Sequence, residues 1–143
     1  MRKILTFTLY AFFMLGSASL HAASTNPKVL LQTNLGEFVI ELFPHDAPVT
    51  VKNFLDNVDG NFYNDTIFHS VVPGFFIQGG GLAADFSTKP SRALIKNEAS
   101  NGLKNDTYMV SMVRSTANES ATSQFFINMQ NNSALNMNGR NPG

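Results

Sequence analysis

Between residues 28 and 128 the apolar residues come in short runs rich in Phe, Val and Ile, each closed by Gly, Asn, Ser or Pro. Runs of this length suit strands better than helices, and strands of this kind must pair to bury their faces. Lys28 to Thr33 and Glu37 to Leu42 flank Asn34-Leu35-Gly36. The second run alternates, with Phe38, Ile40 and Leu42 facing one way, which predicts a β-hairpin. Further strands are predicted at Ile67 to Val72, Phe75 to Gln78, Tyr108 to Val113 and Phe125 to Asn128. One segment breaks the pattern. Pro48 suits a first helical turn, and Val51, Phe54, Leu55 and Val58 then follow at i, i+3, i+4 and i+7, an amphipathic helix ending near Gly60. Short strands with a single helix predict a mainly β domain, a barrel or sandwich with a helical cap. Residues 82–105 and 114–122 are predicted to be long loops.

The first 22 residues stand apart from this domain. Met1-Arg2-Lys3 precedes an apolar run from Ile4 to Leu15, and small residues follow it, the pattern of a secretory signal peptide. About twelve apolar residues are too few for a bilayer span, which needs ~20. Cleavage after Ala18 or Ala22 would leave a mature domain from about residue 23 to 143 and no stable membrane anchor. A bacterial periplasm is the expected compartment. The chain contains no cysteine, so its stability has to come from an apolar core, and thiol chemistry is excluded. Losing Arg2 and Lys3 takes ten basic residues to eight against ten acidic ones, a net charge of 8 − 10 = −2, without the clustered positive charge that nucleic acid requires.

Several kinds of chemistry can be set aside. Asp65, His69 and Ser70 are the residue types of a nucleophilic triad, but neighbours on a strand point to opposite faces, and no Gly-x-Ser-x-Gly elbow is present. His45 and His69 lie too far apart in sequence to suggest a metal site. Gly79-Gly80-Gly81 lacks the Lys-Ser/Thr of a phosphate loop and reads instead as a bulge or a close backbone approach. More specific are two blocks, Phe68 to Gly80 and Ser123 to Asn128. Each interleaves aromatics with an amide, Gln78 in the first and Gln124 in the second.

Phe68 to Gly80 resembles the cyclophilin signature, and Ala121 to Asn128 resembles its second strand. Asn97-Glu98-Ala99, Asn101-Gly102-Leu103, Tyr108 to Met112 and the hairpin from Val29 to Leu42 extend the resemblance over nearly all of the mature chain, nearest to bacterial exported members. The resemblance implies an eight-stranded antiparallel β-barrel capped by two helices. It implies a peptidyl-prolyl cis-trans isomerase acting on proline-containing polypeptides without a cofactor. Phe75, Phe76, Phe126 and Leu135 match the proline pocket, Gln78 and Gln124 the backbone-binding amides, and Val113 and Arg114 the stretch beside the peptide. Gln78 and Phe75 are the matched positions taken as catalytic, and His69 matches a rim position.

Two departures qualify this reading. Ser70 stands where the family has arginine, the principal donor to the twisting amide. The uncatalysed barrier is ~18–20 kcal/mol, and one preorganised donor supplies ~2.7–4 kcal/mol elsewhere, so slow isomerisation is expected unless Arg92 or Arg114 reaches the site. The family also continues beyond the Leu135 region into closing strands and a second helix, so the domain is expected to be C-terminally incomplete. The alternatives are a proline-peptide binder or chaperone-like module with little catalysis, and a non-functional remnant.

Overall fold

The computed structural model describes residues 26–138 and residue 143, so the expected signal segment lies outside the described residues. Strands β1 (Lys28–Thr33) and β2 (Gly36–Glu41) form an antiparallel hairpin closed by Thr33 opposite Gly36. The Thr33 hydroxyl fastens the turn, accepting from Leu35 N at 3.2 Å and donating to Gly36 O at 2.7 Å. Alternation divides the hairpin into two faces. Ile40 and Leu42 are buried and Val29, Leu31 and Phe38 pack against the core, whereas Leu30 and Val39, opposite one another, face outward.

Helix α1 (Pro48–Asp59) begins with proline as expected and buries Val51 and Phe54. It has no side-chain cap of its own. Its exposed amides are met from the 82–105 loop: the Glu98 carboxylate accepts from Val49 N at 3.1 Å and from Thr50 N at 2.8 Å. A negative charge here also complements the positive end of the helix dipole. Phe54 reaches the second sheet through Phe125, the ring centroids 5.7 Å apart and edge-to-face.

Strands β3 (Ser70–Val72), β4 (Phe76–Gly79), β5 (Val110–Met112) and β6 (Phe125–Asn128) make a second antiparallel sheet in the order β3-β4-β6-β5. The link from β3 to β4 is a turn, with Phe75 N donating to Val72 O at 3.0 Å, Pro73 in second place and Gly74 at φ +68° in third. One face of this sheet, made by Ile77, Val110, Met112, Phe125 and Ile127, joins the core around α1 and β2. The described residues are therefore mainly β, in two sheets with one α-helix.

Two strands are shorter than their sequences predict. The first run starts at Ser70 because Thr66 bridges Ala83 and Ile67 N bonds to Leu82 O at 3.0 Å, which ties residues 66–67 to the returning loop. The run from Tyr108 begins at Val110 because Tyr108 has φ +68°, which no strand accommodates. The 82–105 loop is more ordered than its length suggests, with bridges from Leu82 to Thr88 and from Ile95 to Ala121 and a short 3-10 turn at Ala99–Asn101.

Adjacent phenylalanines thus serve opposite faces of β6: Phe125 is 3% exposed in the core, and Phe126 lies half-buried on the other side. Phe125→Ala is expected to cost about 3–5 kcal/mol. Phe126→Ala is expected to cost about 2 kcal/mol or less. Urea denaturation of the two variants beside wild type checks the difference; equal losses would contradict the assignment of faces.

Candidate active site

The outer face of the second sheet is built by cross-strand register. Ser70 lies opposite Gln78, Gln78 opposite Phe126, and Phe126 opposite Ser111, so a single row crosses all four strands. Paired residues point to the same face, which sets a hydroxyl, an amide, an aromatic ring and a second hydroxyl side by side. The next row holds Phe76 opposite both Val72 and Asn128. Phe76 packs on Phe126 with centroids 5.7 Å apart and on Phe75 with centroids 4.7 Å apart, forming an aromatic wall.

The two sequence blocks meet at their amides. Gln78 Nε2 donates to Gln124 Oε1 at 2.9 Å and lies 3.3 Å from His69 Nε2. The glycine run makes room for this pair. A Cβ at Gly81 would come within 2.5 Å of Gln124 Cγ, and one at Gly80, whose φ is +80°, would come within 2.8 Å of the Phe125 ring. At Gly81 the missing side chain is thus what seats Gln124.

A layer of asparagines that sequence reasoning missed supports the aromatic wall. Asn128 is fully buried although its side chain belongs to the outer face. Its Nδ2 donates to Met109 O at 2.9 Å and to Asn105 Oδ1 at 3.3 Å, and its Oδ1 accepts from Asn132 Nδ2 at 2.7 Å. Asn132 Nδ2 also donates to Phe75 O at 2.8 Å, and Met129 N donates to the same carbonyl at 2.9 Å. Ser111 joins through Asn105 Oδ1 at 2.8 Å. With its buried amides paired, the network holds Phe75 from behind; breaking one member strands the others at about 1–3 kcal/mol each. Asparagine-rich segments read as loop in sequence, and nothing local marks these as a layer.

The remaining predicted residues fall around one cavity of about 920 Å³, lined by Phe76, Gln78, Val113, Arg114, Phe126 and Leu135 together with residues of β2, α1 and the 95–105 segment. Phe75 and Gln124 stand behind the lining, the first against Phe76 and the second against Gln78. Val113 N donates to Gln124 O at 2.9 Å, which fixes the end of β5 beside the amide pair. Arg114 donates to the carbonyls of Ser115 and Gly143. Arg92 takes another course. Its Nη2 donates to Asp56 O at 2.9 Å, at the C-terminal end of α1, so it brings no charge to the sheet face. Asp65, His69 and Ser70 form no triad: among the described residues no hydrogen bond links them, and the His69 ring turns to Gln78.

An aromatic wall beside paired amides is suited to hold an extended peptide by its backbone and one apolar ring, the kind of site found in enzymes that act on peptide conformation. Comparison with known proteins gives that class a family. The model described as cyclophilin type peptidyl-prolyl cis-trans isomerase/CLD matches residues 28–141. Peptidyl-prolyl cis-trans isomerase A of Dickeya dadantii is 43% identical over 142 residues, covering 99% of this chain and 75% of the relative. Peptidyl-prolyl cis-trans isomerase of Acinetobacter baylyi is 51% identical over 118 residues, covering 82% of this chain and 62% of the relative. Peptidyl-prolyl cis-trans isomerase B of Escherichia coli is 51% identical over 111 residues, covering 78% and 68%. A Cryptosporidium parvum cyclophilin type isomerase, solved in the presence of the dipeptide Ala-Pro, superposes with a TM-score of 0.69 at 32% identity, covering 77% of this chain and 72% of that one. The chain belongs to the cyclophilin type peptidyl-prolyl cis-trans isomerase family. Its reaction class is rotation about the bond preceding proline.

Because Gly81 has an ordinary backbone conformation, Gly81→Ala is expected to fold while pushing Gln124 out of its seat. The side-chain amide resonances of both Gln124 and Gln78 should move, with a stability change within about 1 kcal/mol. Amide spectra and a urea titration check this; unmoved glutamine resonances would contradict the close approach.

Proposed function

We propose that the outer face of the second sheet binds proline-containing polypeptides and isomerises their X-Pro bonds slowly. The register row carries this reading: position 70 stands directly opposite Gln78, which stands directly opposite Phe126. A proline ring against Phe126 and Phe76 would place its preceding amide beside Gln78 and residue 70. Moving that amide out of water disfavours its planar, dipolar form, and a donor aimed at the prolyl nitrogen favours the twisted one. In this chain residue 70 is a serine. Its hydroxyl carries no charge and is several ångströms shorter than a guanidinium, so the pocket is kept while the strongest donor is lost. The Ala-Pro dipeptide in the Cryptosporidium parvum structure supports the substrate class.

The leader-like sequence from Met1 to Ala22 supports polypeptides in transit to a bacterial periplasm as the clients. Among the described residues no helix is long and apolar enough to cross a membrane.

Ser70→Arg is expected to raise kcat/KM for a short Xaa-Pro peptide by about a hundredfold, mostly in kcat, because the added donor acts on the transition state. Exchange spectroscopy on the peptide with each protein measures it. An arginine variant no faster than wild type would overturn the account of Ser70, and peptide binding with no turnover in wild type would favour the binder reading.

A further inference from the structure

The proposed mechanism uses Gln78, which is bonded to Gln124, and leaves His69 without a role. Its ring is half-buried, with Nε2 facing Gln78 Nε2 at 3.3 Å and Nδ1 buried without a hydrogen-bond partner among the described residues. An amide nitrogen only donates, so the ring nitrogen facing it has to accept. With Gln78 in this orientation, the contact is the one a neutral ring makes when its hydrogen is on Nδ1. The second hydrogen of Gln78 goes to Gln124 Oε1 at 2.9 Å. One chain of bonds thus sets the polarity of both amides: Gln78 keeps its oxygen, and Gln124 its nitrogen, for a bound peptide.

We propose that His69 is the positioning residue that sets this polarity, and that protonating its ring reverses both amides together. An imidazolium donates from both nitrogens, so Gln78 must turn its oxygen toward Nε2. That oxygen would then face Gln124 Oε1, acceptor against acceptor, and Gln124 has to turn over as well. The site exchanges an acceptor on Gln78 and a donor on Gln124 for the reverse. A peptide whose backbone fits the neutral arrangement meets donor against donor and acceptor against acceptor in the protonated one. By linkage, such a peptide also holds His69 neutral.

Little else on the neighbouring elements competes for the ring. Strands β3, β4, β5 and β6 carry no charged residue. In the flanking segments, Asp65 is exposed in its turn, Lys89 donates to Asn64 O at 2.8 Å and Arg114 donates to Ser115 O at 3.0 Å; Asp106 lies in the turn before β5, and Glu41, Lys96, Glu98 and Lys104 line the cavity that Gln78 also lines. Among the described residues no ion pair involves His69.

The consequence for peptide binding rests on the proposed function, whereas the coupling itself does not. Nitrogen-15 spectra of the full chain without peptide, taken from about pH 8 to pH 5, follow the His69 ring and the two side-chain amides across the interval in which imidazoles change charge. All three are expected to move along one curve with one midpoint. A His69 ring that titrates while the glutamine amides stay still would overturn the proposal. With an Ala-Pro-containing peptide, affinity is expected to fall roughly tenfold across the same midpoint, the effect of about one mismatched hydrogen bond. His69→Phe should abolish both the coupled shifts and the pH dependence, and their persistence would overturn the proposal. His45→Asn, at an exposed site, should change neither. Coupled shifts with no peptide bound at any pH would count against the binding face and leave the role of His69 standing.

Discussion

The register between β4 and β6 is the constraint on which the rest of the molecule depends. Gly79 faces Phe125 and Gln78 faces Phe126. A slip of one residue would exchange the faces of every side chain on β6, sending Phe126 into the core and Phe125 to the outer face. Features at both ends of the pairing prevent it. At one end the Tyr63 hydroxyl donates to Ser123 O at 2.9 Å, and burial raises the Tyr63 pKa well above the usual phenol range, so this donor stays protonated. Gly80, with φ +80° and no Cβ, lets the chain pass the Phe125 ring. At the other end Asn128, fully buried, accepts from Asn132 and donates to Met109 O, and neither bond survives a shift.

Apolar packing and directed polar bonds are divided between the two faces of one thin sheet. The inner face contributes Ile77, Phe125 and Ile127 to an apolar core shared with α1 and β2. The outer face is held by polar bonds, amide to amide at Gln78 and Gln124 and asparagine to carbonyl behind Phe75. Directional bonds of this kind hold a side chain's orientation more tightly than apolar contact does, and orientation is what an amide-twisting site needs. In the proposed reading, substrate grip and rate enhancement are separable, because the aromatic wall and the amides persist around Ser70.

Much of the fold was legible in the sequence. The β1 and β6 boundaries and the start of α1 follow from period and from Pro48, which act within a few residues. The strand predicted from Ile67 failed, and the cap of α1 went unpredicted, where distant segments intervened. Residues 66–67 bond to Ala83 and Leu82 in place of extending β3, and the cap of α1 comes from Glu98, about fifty positions away. Of the candidate site, both aromatic blocks and their amides were legible. The asparagine layer was not, because asparagine has the same local signature in a solvated loop as in a buried network. Arg92, a candidate source of charge, proved to be committed to the end of α1.

The sequence by itself determined the class of fold and the chemical inventory of the site: strand period, helix period, two aromatic-amide blocks and a serine at position 70. These are local facts, written in which side chains follow one another at a spacing of two or of 3.6 residues. Only the tertiary structure decided that Ser70, Gln78 and Phe126 share one row, that Gln124 and His69 converge on the same amide, and that Asn132 holds Phe75. Gln78 with Phe126 and Gln124, and Phe75 with Asn132, join residues tens of positions apart, which no local window contains; Ser70 and His69 share a block with Gln78, but only the folded turn and register bring them to it.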